Sequence, residues 1–115
     1  MLNNFWLKSS INQPFTLHLH ELIKLIKAKK MNPQKVIKSF LKRIKKKNKH
    51  IRAISTIDKK YIFDQFKKID SNLPLSFMPV GIKDIYNTEI LPTKMGSPIY
   101  KNFYSGNDAR VVTNL

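Results

Sequence analysis

The chain has 115 residues, enough for one small domain and too few for two sizeable cores. It contains no cysteine, which excludes disulfides, a thiol nucleophile and thiolate metal sites, and its 42% hydrophobic content argues against a wholly disordered polymer. The net charge of +15 sets it apart from an ordinary globular composition and raises the question of an anionic partner.

Residues 1–15 read as a leader that docks or frays, with a brief apolar patch at Phe5-Trp6-Leu7 and Pro14 near its end. The single lysine in Met1–Ser10 and that short patch make a poor secretory signal, and no apolar run reaches the ~20 residues a membrane span needs. A cytoplasmic chain with no membrane partner is the expectation. Thr16 offers a hydroxyl to cap a first helix, along which Leu19, Leu22, Ile23 and Ile26 recur at helical spacing. Asn32-Pro33 starts a second helix, a cap followed by proline at the first helical position. Val36, Ile37, Phe40, Leu41 and Ile44 form its apolar stripe, and Lys35, Lys38, Lys42 and Lys45 occupy its other face.

Thirteen of the 22 Lys and Arg fall between Lys24 and Arg52, with only Glu21 close by in opposition. Such a cluster can bind nucleic-acid phosphates by releasing counterions. The plainer explanation is a solvated helix face in an A/T-rich gene, since 19 Lys, 14 Ile and 10 Asn all use A/T-rich codons. Aromatic residues for base stacking are missing from the stretch apart from Phe40, which belongs to the apolar stripe. Nucleic acid is therefore an open but not favoured partner.

Ile51 to Ile57 could form a short strand, and Asp58 caps a third helix with Ile62, Phe66 and Ile69 on its inner side. Ser71-Asn72-Leu73-Pro74 breaks that helix. A short apolar strand ending at Lys83 is expected next, its Val80 and Ile82 β-branched and its Gly81 open to close approach by another backbone. An irregular stretch follows from Tyr86 to Asn107, and Asp108 reads as the N-cap of a last helix carrying Ala109, Val112 and Leu115. Lysine at a strand end becomes a base only if it is enclosed. Lowering its pKa from ~10.4 to ~7.5 takes about 4 kcal/mol of differential stabilisation.

The order Leu75-Ser76-Phe77-Met78-Pro79-Val80-Gly81-Ile82-Lys83-Asp84, then Ile85-Tyr86-Asn87-Thr88, Leu91-Pro92-Thr93-Lys94-Met95-Gly96-Ser97-Pro98 and Asn107-Asp108-Ala109-Arg110-Val111-Val112, resembles the N-terminal part of the amidase signature family. Glu21-Leu22-Ile23, Pro33-Gln34-Lys35-Val36 and Arg43-Ile44 extend that resemblance back to about Thr16. It implies an α/β fold, here the helices and first strands of a mixed sheet wrapped by helices, over residues 16–115 and ending before the family's Gly/Ser-rich catalytic segment. It also implies cleavage or transfer of a carboxamide C–N bond by a Ser–cis-Ser–Lys mechanism, with a small-molecule amide substrate and with neither cofactor nor metal. Lys83 matches the base, Asp84 would steady the strand end, and Gly96 and Ser97 would be scaffold near the site. Without the serines the chain alone is expected to be inactive, unless a complementary chain supplies them. Glycine is usual in the family where Phe77 and Ile90 stand, and threonine where Lys94 stands.

The residues around Asn87 and Asp108 look more like general amidases than like the family's transfer-RNA amidotransferase branch, which is an alternative. A small basic module binding RNA or an acidic partner is the alternative from another class. Ser97 lies among turn formers without the G-x-S-x-G pattern of a nucleophile elbow. His18 and His20, two apart on a helix, would face different ways, and with His50 they offer no metal spacing.

Overall fold

A computed structural model describes residues 13–115, so Phe5-Trp6-Leu7 and most of the expected leader lie outside the described residues. Four α-helices are present among them: α1 Leu19–Lys27, α2 Pro33–Ile51, α3 Lys59–Lys68 and α4 Arg110–Thr113, with 3₁₀ turns at Pro14–Thr16 and Pro98–Tyr100. The chain divides into two compact units, one containing the residues up to Arg52 with Asp64–Pro79, the other Ala53–Phe63 with Val80–Leu115.

In the first unit, local chemistry sets the helix ends. Thr16 is not the cap of α1. Its hydroxyl closes the preceding 3₁₀ turn by donating to the Gln13 carbonyl at 2.8 Å. His18 is the N-cap instead, and its backbone N–H donates to the Glu21 carboxylate at 2.9 Å. Because His18 has extended backbone, its ring can stack on that of His20, with centroids 5.9 Å apart and planes 8° from parallel. The expectation that the two rings diverge requires both residues to be helical, and it does not hold.

At the far end of α1, Lys29 N–H donates to the Ile26 carbonyl and Lys30 N–H to that of Leu25, with Lys29 in the left-handed region at φ 55. This is a Schellman closure in which lysine occupies the position glycine would fill without steric cost. It directs Met31 into the core. Asn32 caps α2, its side-chain oxygen accepting from Gln34 N–H at 2.8 Å ahead of Pro33. Leu22, Met31 and Val36 form the buried centre, surrounded by Leu17, Leu25, Ile26, Phe40 and Met78. Phe15 lies under the Arg43 guanidinium at 4.4 Å, so the last expected leader residues pack on α2.

Asp58 caps α3 by accepting from Tyr61 N–H at 2.9 Å. Ile62, Phe66 and Ile69 are half-buried rather than buried. After α3 the chain turns through Asp70–Phe77, where the Ser76 hydroxyl donates to the carbonyls of Asp70 and Leu73. Phe77 is left-handed at φ 67, and its ring meets Phe66 at 5.1 Å. A Cβ in that region costs about 1–2 kcal/mol, and the aromatic pair returns about 0.5–1.5 kcal/mol. The aromatic contact therefore offsets part of the backbone strain at Phe77. Ile90 shows no such backbone demand.

The expected strands are not formed: the described residues contain no β-strand, so the sheet of an α/β fold is not seen among them. Ile51 closes α2, Leu75–Met78 is a turn, and residues 79 to 83 carry no regular secondary structure. Extended backbone becomes sheet only when a second segment supplies its hydrogen bonds, and β-branched residues do not replace that partner. Likewise nothing described approaches Gly81, where a Cβ would meet no atom within 4 Å.

Leu22 is 3% exposed at the centre of the first unit. Leu22→Ala is expected to lower stability by about 2–4 kcal/mol, through lost burial and an incompletely collapsed cavity. Urea unfolding of the two chains measures the difference.

Candidate active site

In the second unit the chain from Val80 to Ala109 is irregular apart from the 3₁₀ turn at Pro98–Tyr100, so most of its backbone polar groups need partners outside helices and ladders. Short polar side chains supply many of them. The Lys83 carbonyl accepts from the N–H groups of Ile85 at 2.8 Å and Tyr86 at 3.0 Å, which makes the residues after Lys83 a tight turn. Within that turn Asp84 is half-buried and bonded from three sides. Its Oδ1 accepts from Lys94 N–H at 2.7 Å, its Oδ2 from the Ser55 hydroxyl at 2.8 Å, and its carbonyl from Met95 N–H at 2.9 Å. Lys94 Nζ in turn donates to the Ser55 carbonyl at 3.2 Å. Three segments distant in sequence are thereby joined at one carboxylate.

Lys83 itself is exposed, and among the described residues its amine has no hydrogen-bond partner. Gly96 is left-handed at φ 67 and follows Met95 at φ 54, a pair of positive angles that reverses the chain just after its bonds to Asp84. Glycine fits the second of these positions without the penalty a Cβ brings. Ser97 caps the 3₁₀ turn at Pro98–Tyr100, its hydroxyl oxygen accepting from Ile99 N–H at 3.3 Å and its own N–H bonding the Lys94 carbonyl at 2.9 Å. The structure thus brings Asp84 beside the Lys94–Ser97 turn, and it leaves Gly81 and the Lys83 amine open.

Three participants have no signal in local sequence that points to these partners. Ser55 lies 29 residues before Asp84. Thr93, only 1% exposed, bonds the Phe103 carbonyl through its N–H at 2.9 Å. Lys94 stands out in the sequence only as a departure from the expected threonine. Asp108 does not cap α4, whose N-cap is Ala109. Its carboxylate accepts from Glu89 N–H at 2.7 Å, and Ala109 N–H bonds the Asn87 carbonyl at 2.9 Å. Near this carboxylate pair the Tyr61 hydroxyl has its pKa raised, first by burial and then by the negative charges of Asp108 and Glu89. No cluster of three His, Cys, Asp or Glu able to hold a metal occurs among the described residues. None of their helices is long and apolar enough to cross a membrane.

Similarity to known proteins bears on this geometry. Residues 35–115 match the family model described as Amidase. The chain is 32% identical over 107 residues to the A subunit of the glutamyl-tRNA(Gln) amidotransferase of Thermoanaerobacter pseudethanolicus, covering 88% of this chain and 22% of that protein. The corresponding subunit of Geobacter sp. strain M21 is 31% identical with the same coverage. That of Nitrosomonas europaea is 34% identical over 100 residues, covering 82% of this chain and 21% of the relative. The chain thus spans about a fifth of the length of these relatives. No solved structure matches it.

Removing the Asp84 carboxylate strands two donors at once. Asp84→Ala is expected to destabilise the chain by about 2 kcal/mol, near the low end for charge-assisted bonds because the group is half-exposed. Asp84→Asn is expected to lose less than half as much, since its carbonyl can keep Lys94 N–H and its amide can face the Ser55 hydroxyl. Thermal unfolding of both variants tests that order.

Proposed function

The chain belongs to the amidase family, and from that premise we propose that it carries the lysine base of an enzyme that cleaves or transfers carboxamide C–N bonds. The observation supporting this reading is the family match across residues 35–115, which includes Lys83 and the landmarks after it. In the proposed reaction the uncharged Lys83 amine takes a proton from a serine held by a cis peptide bond. That serine takes one in turn from the nucleophilic serine as the latter attacks the amide carbonyl. The proton held by Lys83 returns through the same serine to the leaving nitrogen, the tetrahedral intermediate expels ammonia or an amine, and the acyl-enzyme passes to water or to an acceptor.

The family resemblance assigns both serines to a Gly/Ser-rich segment, and these 115 residues, with three glycines, contain none. We therefore propose that this chain alone does not turn over amides and that Lys83 acts when such a segment encloses it. The segment could belong to further sequence or to a complementary chain. Exposure of Lys83 supports this, because the enclosed setting that the proposed base needs is absent around it among the described residues. Asp84 is proposed as a positioning residue, holding the turn that follows Lys83, with Gly96 and Ser97 shaping the reversal beside it. The three relatives are all amidotransferase subunits, which favours a glutamine-type carboxamide donor over the general-amidase leaning of the sequence motifs.

The test replaces the corresponding N-terminal fifth of the Thermoanaerobacter relative with this chain and follows ammonia release from glutamine. The chimera is expected to turn over, with Lys83→Ala lowering kcat about 100- to 10,000-fold, the range of general acid–base catalysis. The isolated chain is expected to release nothing above buffer. Full activity of the Lys83→Ala chimera would overturn the assignment of the base, and turnover by the isolated chain would overturn its inactivity.

A further inference from the structure

Helix α2 carries eight Lys and Arg and no Asp or Glu in 19 residues. Lys42 lies three and four residues before Lys45 and Lys46, and Lys49 four and three after them, so the four share one face, and with His50 they line one shallow, open depression. All five are exposed, whereas Val36 and Ile37 on the same helix are buried and Phe40 and Ile44 half-buried. The one ion pair among the described residues joins Lys67 to Asp64 on α3, so none of these four lysines is neutralised there.

That arrangement works against the helix. Lys42 with Lys46 and Lys45 with Lys49 are like charges one turn apart, a spacing that weakens a helix rather than supporting it. A/T-rich coding accounts for abundant lysine, but glutamate also has an A-rich codon and would relieve the repulsion. It is absent throughout α2.

We propose that the face formed by Lys42, Lys45, Lys46, Lys49 and His50 binds the sugar-phosphate backbone of a double-helical nucleic acid. Lys42 to Lys49 covers about 10 Å of helix axis, matching about three phosphate steps at the ~3.4 Å rise of one strand. A membrane surface does not fit, because it would take up an apolar helix face and the apolar stripe of α2 already packs in the core. An acidic protein fits poorly, since protein interfaces use aromatic and arginine anchors and avoid lysine, and this face offers no anchor. The same lack of aromatics disfavours a single strand read by base stacking. Ammonium groups alone contact phosphates without reading sequence, so the binding is sequence-independent.

The test is fluorescence anisotropy of a labelled 20-base-pair RNA duplex, and of the DNA duplex of the same sequence, titrated with the full 115-residue chain between 50 and 200 mM KCl. Four neutralised phosphates give a slope of log K against log salt of about −3.6, an affinity loss of about 150-fold across that range. The variant K42Q/K45Q/K46Q/K49Q is expected to flatten the slope by about 3. The charge-matched variant K59Q/K60Q/K68Q/K101Q is expected to change it by less than about 1. Replacing the same four α2 lysines with arginine is expected to retain binding, which separates loss of charge from loss of fold, and circular dichroism monitors helix content throughout. Equal weakening by both glutamine variants would overturn the proposal in favour of net charge alone. So would a salt-insensitive chain, or one that binds phosphatidylcholine–phosphatidylserine vesicles and neither duplex.

Discussion

The Asp84 carboxylate accepts one donor from 29 residues upstream and another from ten residues downstream, and its own carbonyl takes a third bond from Met95. Everything around the candidate base depends on that convergence. The segment carrying Ser55, the turn after Lys83 and the reversal at Met95-Gly96 have no sheet ladder to align them among the described residues, so their alignment rests on the two bonds to the Asp84 carboxylate and the one to its carbonyl. Such bonds to a charged acceptor are each worth about 1.5–3 kcal/mol when shielded, enough to organise a loop region that buries little apolar surface. Lys83 is thereby held at a defined place in the chain while its amine stays in water.

The two units are held together internally by different physics. In the first, burial of Leu22, Met31 and Val36 between amphipathic helices provides the stabilisation, and the caps at His18, Asn32 and Lys29 set the helix lengths. In the second, Thr93 is the one fully buried side chain, and hydroxyls and carboxylates of Ser55, Asp84, Thr88, Ser105 and Asp108 bond the main chain or one another. Many of its large apolar side chains are exposed, among them Val80, Ile85, Ile90, Ile99 and Tyr104. The enclosure proposed for Lys83 would have to be built against this exposed apolar surface.

Features encoded in a few adjacent residues are legible in the sequence. Asn32-Pro33 and Asp58 cap helices where their composition says they should, because a cap needs only its own turn. The apolar stripe of α2 follows from the same short-range logic, whereas α3 ends at Lys68, ahead of the expected break at Ser71 and short of Ile69. Features set by distant partners are not legible. Asp108 has a helix-capping composition, yet Glu89 N–H, 19 residues back, takes its carboxylate. Thr16 reads as a better cap than His18 because hydroxyl capping is common and a Glu21-assisted histidine cap is not. Val80 and Ile82 suggest a strand, but pairing, which decides sheet formation, is not a local property. The left-handed backbone at Phe77 has no signal in the residues beside it. Spacing alone cannot join Ser55 and Lys94 to Asp84 at all.

Amide hydrogen exchange at Lys94 and Met95, followed by NMR in the unaltered chain, tests the Asp84 junction most directly. Both N–H groups end on Asp84, so both should exchange far more slowly than an open loop allows, and they should lose protection together as urea is raised. Exchange of both at the rate of an unstructured peptide in native buffer would contradict the account, because the bonds that gather three segments at Asp84 would then not be formed.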